Sequence, residues 1–115
     1  MTTRQDFVDY IAAQSGLGAR LAFRRMFGEY AVYVDGKVVA LACDDGLFVK
    51  PTPAVEALVP GAPREPPYPG ARLYARVDEW LDDPDRLRAL LVATADAMPA
   101  PKAKAPRRPA AKRAR

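Results

Sequence analysis

Apolar side chains recur at helical spacing near both ends of the first 97 residues. Residues 3–13 show this spacing, and Thr3 with Asp6 resembles a capping box at the start of a helix. Near the other end, Asp83 and Pro84 read as the N-cap and first residue of a second helix. We therefore predict helices over residues 3–13 and about 84–97.

Between these helices the pattern changes to short runs of β-branched and aromatic residues. Asp35-Gly36 separates two such runs and is typical of a two-residue hairpin turn, in which both residues need positive φ. Short connections of this kind join strands that are antiparallel neighbours, so the runs predict a meander. The four predicted strands are residues 21–27, 29–34, 37–43 and 47–50.

The segment that follows is rich in proline and ends in a clean alternation. Residues 53–58 can form a short helix, and residues 59–70 hold five prolines and two glycines, which indicates a surface loop. Residues 71–77 alternate apolar and polar side chains and predict a fifth strand. The sequence thus predicts an α+β fold, with an antiparallel sheet of about five strands packed in two layers against an N-terminal and a C-terminal helix.

Charge divides the chain into two parts. Residues 1–97 carry eleven basic and fourteen acidic side chains, a net charge of −3, whereas residues 98–115 carry seven basic ones and no acid. We predict an acidic domain over residues 1–97 and a disordered basic tail over residues 98–115, because alanine, proline, lysine and arginine cannot offset the entropy of ordering.

The tail has the composition of segments that bind phosphate backbones without reading base sequence. Its candidate nucleic-acid-binding residues are Lys102, Lys104, Arg107, Arg108, Lys112, Arg113 and Arg115. The alternative is a solubilising tail that has no dedicated partner.

Catalytic and metal-binding signals are missing from the sequence. The chain has no histidine, and its one cysteine, Cys43, lies within an apolar run and reads as a small buried side chain. We therefore expect no enzyme activity, no catalytic residue, no metal site and no cofactor. No apolar run reaches the 18 residues of a membrane span, so we expect a cytoplasmic protein without membrane contact.

Basic and aromatic side chains of the strands form a candidate interaction surface. They are Arg24, Arg25, Tyr30, Arg72, Tyr74 and Arg76. A face of this composition can stack and pair with single-stranded nucleic acid. The alternative is an ordinary solvated strand face, which we favour at this point because residues 1–97 are net acidic.

Several separated motifs resemble the TfoX/Sxy N-terminal domain family. The run from Arg24 to Lys37 is similar to the family's Met-Phe-Gly-Gly-Tyr-Gly segment and Tyr-x-Asp-Gly hairpin, although Glu29 and Ala31 stand where the family often has glycine. Residues 42–50 and 74–87 resemble two further family elements in the same order. The resemblance covers about residues 7–97 and implies a single-domain member that lacks the C-terminal domain of the full-length competence regulators.

This resemblance implies a regulatory function. Family members are implicated in regulating DNA uptake and competence genes, as co-activators beside a DNA-binding transcription factor. We expect a non-enzymatic module that contacts the transcription machinery or a regulator, with the tail adding non-specific contact to DNA or RNA. The alternative is a small non-specific nucleic-acid-binding protein whose tail is the main binding element. The oligomeric state stays open.

Overall fold

The computed structural model describes residues 3–26 and 28–98. Within these ranges the elements are α1 (Gln5–Ser15), β1 (Leu21–Met26), β2 (Glu29–Val34), β3 (Lys37–Cys43), β4 (Gly46–Val49), α2 (Pro53–Leu58), β5 (Arg64–Glu65), β6 (Tyr74–Arg76) and α3 (Pro84–Asp96). Short 3₁₀ turns at Gly18–Arg20 and Asp78–Trp80 lead into β1 and α3. The seven tail cations and the predicted strand residue Phe27 lie outside the described residues.

The strands form one antiparallel sheet in the order β1-β2-β3-β4-β6-β5. Two-residue turns join β2 to β3 and β3 to β4, with φ of 53° at Asp35, 82° at Gly36, 51° at Asp44 and 57° at Asp45. Positive φ at both turn residues matches the right-handed twist of the flanking strands. The predicted α+β class and the hairpin at Asp35-Gly36 are confirmed.

The sheet is larger than the sequence pattern predicts, because it has a sixth strand. The two residues of β5 lie inside the proline-rich segment expected to be a loop, and they pair with β6. The predicted fifth strand is correspondingly shorter, since only Tyr74–Arg76 of residues 71–77 is regular. A two-residue strand is held by its neighbour alone, so no periodicity in its own sequence reveals it.

Thr3 does not cap the first helix, and this expectation is wrong. The helix begins at Gln5, its N-cap is Arg4, and the cap has no side-chain hydrogen bond. The Thr3 hydroxyl instead lies 2.6 Å from Oε1 of Glu29 and 3.1 Å from the carbonyl of Ala42. Thr3 therefore ties the start of the chain to β2 and β3. Asp83, in contrast, accepts a hydrogen bond from the backbone N–H of Arg86 and caps α3 as predicted.

The main core lies between the helices and one face of the sheet. Helix α3 contacts α1, α2, β2 and β3, and its Leu87, Leu90 and Leu91 are completely buried. From the strands, alternate residues such as Val32 and Val49 point into the same core. All three α-helices contribute to this one core, so the opposite face of the sheet carries none of them.

Candidate functional site

The face of the sheet that points away from the helices, hereafter the open face, carries its own small apolar cluster. Ala31, Leu41, Cys43 and Phe48 are buried there, and Tyr33, Val38 and Tyr74 are half-buried against them. These residues alternate with the main-core residues along their strands, as the period of two requires. The open face is therefore an apolar surface that is only partly covered.

A pocket of about 410 Å³ opens at one end of this face. Its lining includes Met26 and Glu29, which are paired across β1 and β2, and Leu41 and Cys43 from β3. Tyr68, from the proline-rich segment, forms another wall. Met26 and Tyr68 are 41% and 54% exposed and line the same pocket, so together they form an exposed apolar patch. We call this site the apolar pocket.

One carboxylate, that of Glu29, lies in the lining of the apolar pocket. The Glu29 carboxylate accepts hydrogen bonds from the Thr3 hydroxyl at 2.6 Å and from the backbone N–H of Asp44 at 3.1 Å. Asp45 accepts one from the backbone N–H of Arg4 at 3.0 Å. The bonds from Thr3 and Asp44 hold the Glu29 carboxylate in place, so the pocket has one fixed acidic side chain at its edge.

Cys43 is the nucleophilic side chain of the pocket, and its surroundings suppress its reactivity. Burial, together with the charges of Glu29 and Asp44, raises the pKa of the Cys43 thiol to about 11. At neutral pH the thiol is therefore protonated, whereas the thiolate is the form that attacks. The predicted burial of Cys43 is confirmed, since it is 3% exposed.

Alkylation measures this suppression directly. At pH 8, a thiol with a pKa near 11 holds about a hundredfold less thiolate than one at the ordinary value of 9.0, so iodoacetamide should modify Cys43 at least a hundredfold more slowly in the folded chain than in guanidinium. The rate in the folded chain should rise about tenfold per pH unit between pH 8 and 10. Comparable rates in the two states would show that the thiol is accessible and ionised.

The six residues of the candidate interaction surface do not share one face. Arg24 and Arg25 are consecutive in β1 and point to opposite sides, since Arg24 is paired with Ala31 and Arg25 with Tyr30. Tyr30 belongs to the main core, and its hydroxyl donates to Gln5 of α1. Arg25 lies over the Tyr30 ring at 5.8 Å from its centre. Arg25 and Tyr30 are thus on the helix side, while Arg24 is on the open face.

Arg76 is on the open face, but its charge is already balanced. Its guanidinium donates to Asp78 at 2.8 Å and to Glu65 at 3.1 Å, and it covers the Phe48 ring at 5.2 Å from the ring centre. The Asp78 carboxylate also accepts a hydrogen bond from the backbone N–H of Leu47 at 2.9 Å, so this group joins β4 to the turn after β6. Arg76 therefore acts as a structural cross-link.

Arg72 and Tyr74 do lie together, and they bring in a residue that sequence reasoning missed. They line a second pocket of about 200 Å³ with Lys50 and Pro51. Val49 is paired with Ala75, so the next position along β4 places Lys50 opposite Tyr74. Tyr33, also missed, belongs to the same face. The alternation of side chains along a strand could have identified both residues, because Tyr33 is two positions after Ala31 and Lys50 is two positions after Phe48.

Residues 3–26 and 28–98 offer neither a cluster of metal-ligating side chains nor a membrane-spanning helix. Among residues 3–26 and 28–98, no three Asp, Glu or Cys side chains come together as metal ligands do. No helix in those ranges combines the length and the apolar character that a membrane crossing demands.

Comparison with known proteins places the chain in a family. The family model of the TfoX N-terminal domain matches residues 14–98. The chain is also 40% identical over 102 residues to an "Uncharacterized 12.7 kDa protein in trpE 5'region" from Spirochaeta aurantia, a match that covers 89% of each chain. No solved structure matches the chain. The matched span runs from the end of α1 through α3 and includes every strand, so the chain belongs to the TfoX N-terminal domain family.

Proposed function

We propose that this chain is a cytoplasmic, non-enzymatic regulatory module that acts in transcription regulation by binding a protein of the transcription machinery or one of its regulators. Family membership supports a regulatory, competence-like role at the level of the family. The observation that supports a protein contact is the apolar pocket. Met26 and Tyr68 are exposed there, beside the hydrogen-bonded carboxylate of Glu29. Such a pocket accepts an apolar anchor side chain, as protein interfaces commonly do.

The charge at the rim specifies the chemistry of the partner segment. Glu29 lines one side of the pocket, its carboxylate accepts from the backbone N–H of Asp44, and the charges of both residues act on Cys43 in the same lining. An apolar anchor residue beside a lysine or arginine fits this arrangement, because the basic side chain meets the acidic rim while the apolar one is buried. Binding rather than catalysis also agrees with the protonated Cys43 thiol.

The tail contributes a second, weaker kind of contact in this proposal. Its seven cations bind the backbone of DNA or RNA without base recognition, whereas residues 1–97 are net acidic and repel a polyanion on average. The tail would therefore hold the module near nucleic acid while the apolar pocket selects the protein partner. No cofactor takes part.

Complementation of a strain that lacks the gene tests the apolar pocket. Met26→Glu places a charge in the pocket, and we expect it to abolish the transcript changes that the wild-type gene restores. Leu73→Glu is the matched control, because Leu73 is 56% exposed and is not among the residues that line the pocket. RNA sequencing of the complemented strains, with both variants at wild-type protein level, gives the measurement.

Two outcomes would count against this function. If Met26→Glu restores the transcripts as well as Leu73→Glu does, the pocket is not the partner site. If instead only neutralisation of the tail abolishes them, the alternative function is favoured, a small nucleic-acid-binding protein whose tail is the main binding element. The charge asymmetry between residues 1–97 and residues 98–115 is the observation behind that alternative.

A further inference from the structure

We propose that the part of the open face outside the apolar pocket binds single-stranded DNA, with Tyr33 and Tyr74 stacking bases and Arg24, Lys50 and Arg72 contacting phosphates. We call these five residues the tyrosine face. This inference goes beyond the proposed function, because it assigns a DNA site to the folded domain rather than to the tail, and its residues do not line the apolar pocket.

The two tyrosines are held on a rigid base at a useful separation. Both are half-buried against the cluster of Ala31, Leu41 and Phe48. Tyr33 is on β2 and Tyr74 is on β6, three strand positions apart, which corresponds to about 14 Å at the usual strand spacing. That distance spans roughly four nucleotides at the stacked repeat of about 3.4 Å per nucleotide. Aromatic side chains on a sheet are a common platform for unpaired bases.

The cations of the tyrosine face have no acidic partner in the described part of the chain. Ion pairs there engage Arg4, Arg20, Arg64, Arg76 and Arg86. Arg24, Lys50 and Arg72 have neither an ion pair nor a side-chain hydrogen bond to any described residue. Lys50 and Arg72 also share the pocket of about 200 Å³ with Tyr74. A nucleotide fits this arrangement, because its base can stack on the Tyr74 ring while its phosphate contacts Lys50 and Arg72.

The net acidity of the domain does not extend to the tyrosine face. Glu65 and Asp78, the acids nearest to Tyr74 along the sheet, are both bound to Arg76. Glu29 lines the apolar pocket and Asp44 lies with Phe48 and Arg76, whereas the pocket that Lys50 and Arg72 share with Tyr74 has no acid among the described residues of its lining. A phosphate near Lys50 or Arg72 therefore meets positive charge first, and this local distribution removes the objection raised by the charge of residues 1–97.

The composition of the face selects the form of nucleic acid. Stacking on a tyrosine needs an unpaired base, which a duplex does not offer on its surface. The strand residues of this face include no Ser, Thr, Asn or Gln that would recognise a ribose 2′-hydroxyl. Stacking and charge are then the recognition, neither needs a 2′-hydroxyl, and the occupant of this proposal is single-stranded DNA.

Fluorescence anisotropy on the full chain tests the proposal with a labelled dT₁₅ strand and a duplex of the same length. Tyr33→Leu with Tyr74→Leu should weaken dT₁₅ binding at least tenfold and duplex binding less than twofold, since each stacked base contributes about fivefold or more. Tyr33→Phe with Tyr74→Phe should retain the affinity, because phenylalanine also stacks. Tyr10→Leu is the control, since Tyr10 is a 41% exposed tyrosine on α1.

Salt dependence reports on the cations separately. Lys50→Gln with Arg72→Gln should reduce the magnitude of the log–log salt slope for dT₁₅ by about 1.4, from about 0.7 per phosphate contact, while Arg86→Gln leaves the slope unchanged. Amide shift mapping of the wild-type full chain with dT₁₅ gives a test that needs no variant. Its largest shifts should fall at Tyr33, Lys50 and Tyr74.

Three results would overturn the proposal. The first is that the leucine double variant, folded by circular dichroism, binds dT₁₅ like the wild type. The second is equal loss of duplex and dT₁₅ binding, which would assign the effect to the tail or to general damage. The third is a tenfold preference for rU₁₅ over dT₁₅, which would show recognition of the ribose.

Discussion

Leu90→Ala is expected to lower the free energy of unfolding by about 3 kcal/mol, within the range of about 2–5 kcal/mol for buried leucines. Leu90 is completely buried in α3, the helix that contacts α1, α2 and the central strands. The truncation removes apolar contacts and leaves a cavity that neighbouring helices cannot fill. For a domain of this size, the Tm should fall by roughly 12–24 °C. Thermal and urea unfolding followed by circular dichroism give the measurement.

Leu73→Ala provides the matched control for this substitution. Leu73 is 56% exposed, so the same change in side chain should alter the free energy of unfolding by no more than about 0.5 kcal/mol. Similar small effects at both positions would contradict the packing of α3 described above. A large effect at Leu73 would instead show that something covers this residue in solution.

Replacing all seven tail cations with glutamine is expected to lower the affinity for duplex DNA at least a hundredfold at 50 mM salt. If every tail cation meets a phosphate, the wild-type log–log salt slope approaches about −6, from about −0.9 per contact. The wild-type affinity should then fall about a thousandfold or more between 50 and 200 mM salt. The slope of the variant should be close to zero. Gel shifts at four salt concentrations measure both quantities.

Exposed cations of the folded domain give the control for the tail. Arg4→Gln with Arg86→Gln removes two charges, each from a side chain that already has an acidic neighbour, and should leave the slope unchanged. If the tail variant binds duplex DNA like the wild type, the tail makes no auxiliary contact with DNA. The alternative function, a nucleic-acid-binding protein whose tail is the main binding element, is then also wrong. The proposed tyrosine face is tested by comparing dT₁₅ with a duplex of the same length, so failure of that proposal is distinguishable from failure of the tail contact.

Local features of the fold followed from local sequence. Positive φ at Asp35 and Gly36 arises from residues that tolerate that conformation, and it sets the β2–β3 hairpin. The start of α3 likewise depends on local residues. Asp83 caps the first turn with its side chain, and the ring of Pro84 fixes the φ of the first helical residue. Such signals act over a few residues, so a pattern along the chain reveals them.

Contacts between residues that are far apart in the chain could not be predicted from the local sequence. Thr3 bonds to Glu29 and Ala42 rather than capping its own helix, because the sheet offers a half-buried carboxylate and a carbonyl to its hydroxyl. The candidate surface was drawn from residue types, and the register then separated Arg25 and Tyr30 from Arg24. Arg76 was placed in that candidate surface by its residue type, although Glu65 and Asp78 already bind its guanidinium.

The sequence by itself determined the α+β class, the hairpins, the starts of α2 and α3, the buried Cys43 and the family resemblance that comparison confirmed. Only the tertiary structure decided that the sheet has a sixth strand, that Met26 and Tyr68 enclose a pocket, and that Lys50 lies opposite Tyr74. The physical reason is the range of the interactions. Turns and caps are settled by neighbours along the chain, whereas a pocket, an ion pair or a shared face depends on strand register, which brings together residues far apart in sequence.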